Sequence, residues 1–141
     1  MKIILSLLLF MFGVVMTQAA EPVPTPKPIF FARGSSSGTV GGHVLRGERN
    51  LYSLKATAGQ TMTLEMTAPD NNAVFQIYEP GTSIGRDDDG ILEFHGKALG
   101  GAADGDDATR WTGRLPRSGT YVIAIGSTRG NARYSLDVKI E

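Results

Sequence analysis

"TMTLEMT" (Thr61–Thr67) places Met62, Leu64 and Met66 on one side and Thr61, Thr63, Glu65 and Thr67 on the other. A period of two held over seven residues belongs to a β-strand with one apolar and one wet face. The same kind of run recurs outward from it, each ended by glycine-, asparagine- or aspartate-rich turns. Towards the N-terminus these runs are Arg49–Thr57, Thr39–Arg46 and Ile29–Arg33. Towards the C-terminus they are Ala73–Glu79, Ala108–Leu115, Gly119–Gly126 and Ala132–Ile140. No stretch carries a helical period. About eight short strands at roughly 8–12-residue spacing predict an all-β fold, an antiparallel sandwich or barrel, of which a jelly-roll-like β-sandwich is the expectation adopted. The inward sets expected to form its core are Tyr52, Leu54, Met62, Leu64, Met66, Phe75, Ile77, Trp111, Leu115, Tyr121, Ile123, Tyr134, Leu136 and Val138.

The chain of 141 residues suits one such domain, preceded by two segments of different character. In residues 1–20, Lys2 precedes an apolar run from Ile3 to Met16, and Thr17-Gln18-Ala19 supplies small residues for cleavage. That is the pattern of a secretory signal peptide, too short and wrongly flanked for a membrane span. "EPVPTPKP" (residues 21–28) alternates proline with other residues, which favours an extended spacer. The sandwich is then expected over 29–141. The chain has no cysteine, so it offers neither a disulfide nor a lipid-anchoring thiol. An exported, cysteine-free chain of this kind is expected in a periplasm. Equal numbers of acidic and basic residues give no reason to expect nucleic acid or an anionic membrane as a partner.

Charge is nevertheless unevenly placed. Asp70–Asp107 holds nine acidic residues against Arg86 and Lys97, whereas Ala108–Glu141 holds six basic residues against Asp137 and Glu141. Much of the acid lies in the glycine-rich segment Gly81–Ala108, which is too long for an ordinary hairpin loop and reads as functional or mobile. Within it only Ile91–His95 has the look of a short strand. Asp87, Asp89, Asp104, Asp106 and Asp107 are the residues that two loops can bring to one Ca²⁺, although the spacing fails the EF-hand pattern, with Gly85 and Gly96 at its first and last ligand positions. The plain alternative is a solvated acidic loop, and no cofactor is expected.

Catalytic patterns fail on context. Gly34-Ser35-Ser36-Ser37-Gly38 matches a nucleophile elbow in letters, but that element needs a strand-to-helix turn on a parallel sheet. His43 and His95 are the only histidines, too few for a zinc site without several carboxylates. The acidic pairs lack apolar neighbours that would raise the pKa of one of them into a proton donor. A non-enzymatic protein is expected.

What remains is "SGTYVIAIGSTRGNAR" (Ser118–Arg133), a buried strand followed by a polar turn. Arg129 and Arg133 are expected together on the tip of a hairpin, exposed, with no internal partner for Arg129. A guanidinium offers five donors in a planar fork that matches a carboxylate. The run through "RYSLDVKI", with Ser118-Gly119, Tyr121, Arg129 and Arg133, resembles the periplasmic inhibitors of g-type lysozyme. So does "RGSSSGTVGGHVLRGERNLYSLKATAGQ" (Arg33–Gln60), with its Gly-Gln turn. The same tyrosine strand and Ser-Gly-x-Tyr element also resemble, more distantly, bacterial pre-peptidase C-terminal (PPC-like) domains. The first resemblance implies an eight-stranded sandwich that pushes a loop into the acidic substrate cleft of a g-type lysozyme, with Ser118, Tyr121, Arg129 and Arg133 as lysozyme-binding residues and peptidoglycan protected. The alternation of Tyr121 points it at the core, where its hydroxyl would hold the loop. The second resemblance implies a stand-alone binding module for carbohydrate or protein, in one version Ca²⁺-dependent.

Overall fold

A computed structural model describes residues 13–19 and 21–141. The leader expected over residues 1–20 lies, apart from 13–19, outside the described residues. Among the described residues no helix is long and apolar enough to cross a membrane. The described residues form ten strands, in two four-stranded sheets and one hairpin. The first sheet has the order β1 (Lys27–Pro28), β3 (Asn50–Ala56), β9 (Gly119–Ser127), β5 (Ala73–Tyr78). The second has the order β2 (Ser37–Val44), β10 (Ala132–Ile140), β4 (Thr61–Thr67), β8 (Arg110–Arg114). The separate hairpin pairs β6 (Ser83–Arg86) with β7 (Leu92–His95).

The main core lies between the sheets. Tyr52 and Leu54 of β3, Phe75 and Ile77 of β5, and Tyr121, Ile123 and Ile125 of β9 meet Met62 and Leu64 of β4 and Tyr134, Leu136 and Val138 of β10. Each fully buried side chain of this size contributes about 1.5–3 kcal/mol by leaving water, which lets a cysteine-free chain hold two sheets together. Twelve of the fourteen expected core residues are buried; Met66 and Trp111 are half-buried and pack against the core edge. Trp111 lies across Gly113, where a Cβ would come within 2.5 Å of the ring, and its Nε1–H donates to the Gly100 carbonyl at 2.9 Å.

Three expectations need correcting. The first strand is not Ile29–Arg33 but Lys27–Pro28, inside the expected proline spacer, and it pairs parallel with β3. Proline tolerates this place because β1 is an edge strand and needs no inward-facing N–H there. Ile29 follows, its N–H donating to the Ser53 carbonyl at 2.8 Å and its side chain buried. Second, the acidic segment supplies two strands where one was expected. Ile84, Leu92, Phe94 and Ala98 cover Leu51, Tyr78, Val122 and Ala124 on the outer face of the first sheet. Phe94 stacks on Tyr78 with centroids 4.6 Å apart and ring planes 6° from parallel. Covered on both faces, β9 can therefore be a continuous apolar run.

The third correction concerns β9 and β10. They belong to different sheets, so the turn between them is an arch across the sandwich and not a hairpin. Arg133 lies on β10 itself, directly opposite His43 of β2.

Candidate functional site

The four candidate residues fall at two ends of the molecule. β9 runs nine residues from Gly119 to Ser127, so its ends stand roughly 26 Å apart at about 3.3 Å per residue. Ser118 precedes one end and Arg129 follows the other.

At the Ser118 end the side chains act on their own backbone. Ser118 Oγ accepts the Ala58 N–H at 2.8 Å, tying its turn to the one after β3. Tyr121 is fully buried, and its hydroxyl donates to the Arg117 carbonyl at 2.6 Å while accepting the Arg117 N–H at 3.2 Å. The hydroxyl is satisfied by backbone, and the ring fills the core.

At the other end, residues Thr128–Asn131 form the arch. Asn72, buried just before β5, donates through Nδ2 to the carbonyls of Arg129 and Asn131, each at 3.1 Å. The Thr128 N–H donates to the Asn72 carbonyl at 2.9 Å, and Asn131 Oδ1 accepts the Arg46 N–H at the same distance. One buried amide and its neighbours thus pin Thr128, Arg129 and Asn131, all three exposed. Gly130 sits at φ +57°, a conformation that glycine adopts without penalty.

Arg129 is exposed, but contrary to expectation it has an internal partner, since its Nη2 donates to the Asp70 carbonyl. A carbonyl leaves the charge in place and occupies one of five donors. Arg133 Nε donates to His43 Nε2 at 2.9 Å, a bond that engages Nε and not the two terminal nitrogens. Among the described residues the ion pairs are Arg86–Glu21, His95–Glu93, Arg110–Glu65 and Lys139–Glu141, so neither Arg129 nor Arg133 is neutralised by a carboxylate. With Arg46 held beside Asn131, this end carries three exposed guanidiniums on a braced frame.

The network reaches inward. Asn50 Nδ2 donates to the His43 carbonyl at 2.8 Å and to Tyr134 Oη at 2.9 Å, and Tyr134 Oη lies 2.6 Å from Tyr52 Oη in the core. Burial and the bond to Tyr134 push the Tyr52 phenol well above its ordinary pKa. Gly42 makes room, because a Cβ there would stand 2.9 Å from Tyr134 Oη. His43, Asn50 and Asn72 were not among the site residues expected from the sequence. Their partners Arg133, Tyr134 and Arg129 lie 90, 84 and 57 residues away respectively, and no local pattern announces such pairings.

The five aspartates do not gather. Asp87 Oδ1 accepts the N–H groups of Asp89 and Ile91, Asp104 accepts from Gln76, and Asp106 accepts the Ala103 N–H. Among the described residues no three His, Asp or Glu side chains stand where they could hold a metal ion. A larger depression of about 1050 Å³ lies under the β6–β7 hairpin, bordered by Arg49, Gln76, Tyr78, Arg86, Phe94 and Asp104. The N-terminal arm forms part of its rim, with Arg86 donating to the Pro22 carbonyl and to that of Gly90.

No family model matches the chain, and no curated protein matches it in sequence. Solved structures do. The periplasmic inhibitor of g-type lysozyme PliG from Aeromonas hydrophila is 32% identical, with a TM-score of 0.65, over 83% of this chain and 96% of that one. PliG of Salmonella Typhimurium shares the fold at 21% identity and a TM-score of 0.56, over 84% of this chain and 100% of that one. The pre-peptidase C-terminal domain of a Bacillus anthracis collagenase shares it at 13% identity and a TM-score of 0.51, over 84% and 99% respectively. The chain belongs to the PliG family of periplasmic g-type lysozyme inhibitors. It is a non-enzymatic protein, as the inhibitors of that family are.

Proposed function

We propose that the protein is a periplasmic inhibitor of lysozyme, of the g type, and that it acts through the Arg129–Arg133 end of the sandwich. The observation that carries the reading is the 32% identity to the Aeromonas hydrophila inhibitor over 96% of that chain. The site supports it on physical grounds. A cleft that cleaves glycosidic bonds is lined with carboxylates, and two guanidiniums with unneutralised charge are complementary to it. The frame lowers the ordering cost of binding, since Asn72 and Asp70 already fix the arch that carries Arg129. Ser118 and Tyr121 stand at the opposite end of β9 and in this reading serve the scaffold. The pairs separate in a lysis assay with g-type lysozyme. Arg129→Ala and Arg133→Ala should each weaken inhibition, and the double variant should abolish it, whereas Ser118→Ala should inhibit like the wild type. Loss of inhibition in Ser118→Ala with full inhibition by the arginine variants would assign the contact to the other end.

A stand-alone PPC-like binding module is the second reading, and the observation favouring it is the depression beneath the β6–β7 hairpin. Its Ca²⁺-dependent version has no support in the placement of Asp87, Asp89, Asp104, Asp106 and Asp107.

A further inference from the structure

We propose that His43 is a positioning residue for Arg133, holding the guanidinium in its binding orientation only while the imidazole is neutral. The inference rests on the reading of Arg133 as a lysozyme contact and adds to it a residue and a condition. Arg133 Nε always carries its proton, so a 2.9 Å bond to His43 Nε2 requires that nitrogen to be the acceptor and Nδ1 to carry the ring proton. An imidazolium has no acceptor and repels a guanidinium.

His43 is built to hold this position. Its carbonyl is fixed by Asn50, which is itself fixed by Tyr134 and through it by Tyr52, so the bond network joins both sheets. The pair sits directly across β2 and β10, close to the arch. With Nε engaged, Arg133 presents Nη1 and Nη2 as the free pair, the edge suited to an end-on bidentate contact with a carboxylate.

On β10 the next charged side chain on the face of Arg133 is Asp137, four residues along and opposite Thr39. On β4, the other neighbour of β10, Glu65 stands opposite Asp137, Asp70 follows the end of the strand, and the arch adds Arg129. β2 carries no other titratable side chain, β3 offers the neutral Asn50, and β9 brings none at that end. The following loop contributes Arg46, Glu48 and Arg49.

The test is binding of the purified protein to a g-type lysozyme by titration calorimetry from pH 5 to 8. The variants are His43→Leu, His43→Gln, Arg133→Ala and the His43→Leu/Arg133→Ala double variant, each checked for an unchanged melting curve at pH 8. Glutamine keeps a carbonyl acceptor and cannot take up charge. The ratio of wild-type to His43→Gln affinity therefore cancels the lysozyme's own titration. His43→Leu should bind about tenfold more weakly at pH 8, and His43→Gln within about threefold of wild type, on the usual strength of a charge-assisted bond. A charged imidazole has no acceptor for Arg133 Nε, so the wild-type to His43→Gln ratio should fall severalfold wherever His43 carries its second proton. On the Arg133→Ala background His43→Leu should change nothing. Nitrogen-15 spectra of the imidazole should show the Nδ1–H form in the free protein, altered in Arg133→Ala. Wild-type binding by His43→Leu, alongside weak binding by Arg133→Ala, overturns the inference and leaves the lysozyme contact standing. Wild-type binding by Arg133→Ala overturns both.

Discussion

A single buried asparagine decides how the arginine end is displayed. Asn72 meets two carbonyls of the arch with one amide group, and no water can replace it without entering a site that is 5% exposed. Asn72→Ala should cost about 1–3 kcal/mol in urea unfolding, because it leaves the two carbonyls without their partner. The same variant should weaken lysozyme inhibition more than Ser118→Ala does, as the arch loses its hold on Arg129. Tyr121→Phe tests the other end. It removes the bonds to Arg117 and should cost about 1–2 kcal/mol in the same measurement, with inhibition unchanged. Tyr52 adds a pH effect. Its phenol ionises at higher pH in the folded chain than in the unfolded one, so its contribution is complete below about pH 10. It should be lost progressively as pH rises beyond that, since the unfolded state then gives up a proton that the folded state retains. Alkaline unfolding of wild type and Tyr52→Phe, compared from pH 9 to 12, should show the steeper decline in wild type.

Among the elements, the β6–β7 hairpin turns an acidic, glycine-rich stretch into a cover for β9. The Phe94–Tyr78 stack is its anchor, and Phe94→Ala should destabilise the protein by about 2–3 kcal/mol, somewhat below the range for fully buried phenylalanine because Phe94 is half-buried. Hydrogen exchange should then accelerate at Leu51, Val122 and Ala124 while the β4–β10 ladder stays protected. Most of the strands are legible because their period of two is enforced by one buried face, as in Thr61–Thr67, and β9 because it is a continuous apolar run bounded by turn residues. The pair β6–β7 was harder to read. Each strand is four residues long, and its apolar residues serve a small outer core and not the main one. The proline arm hid β1 because a two-residue parallel edge strand needs no alternation. The arch between β9 and β10 looked like a hairpin tip because both connections use the same turn residues. Only the sheet to which each strand belongs distinguishes them, and that is set by long-range pairing.

At the scale of the whole molecule, zero net charge conceals an uneven placement of acid and base along the chain. Arg129 and Arg133 could be picked out from the sequence as a type of residue, but their hydrogen-bond partners Asp70 and His43 could not, being 59 and 90 residues distant. Ser118 and Tyr121 travelled with them in the chain and end up roughly a strand's length away. Asp87 and Asp106 hold turns and Asp104 accepts from Gln76, and addition of millimolar Ca²⁺ should leave the melting temperature unchanged within about a degree. A rise of several degrees would show a bound ion that links to folding. The central claim is that the arginine end blocks a g-type lysozyme. Its most direct test is the dissociation constant of the complex for wild type, Arg129→Ala/Arg133→Ala and Ser118→Ala at neutral pH. The account predicts a loss of at least a hundredfold, about 2.7 kcal/mol, for the arginine double variant and less than threefold for Ser118→Ala. Equal affinity for wild type and the arginine double variant would contradict it.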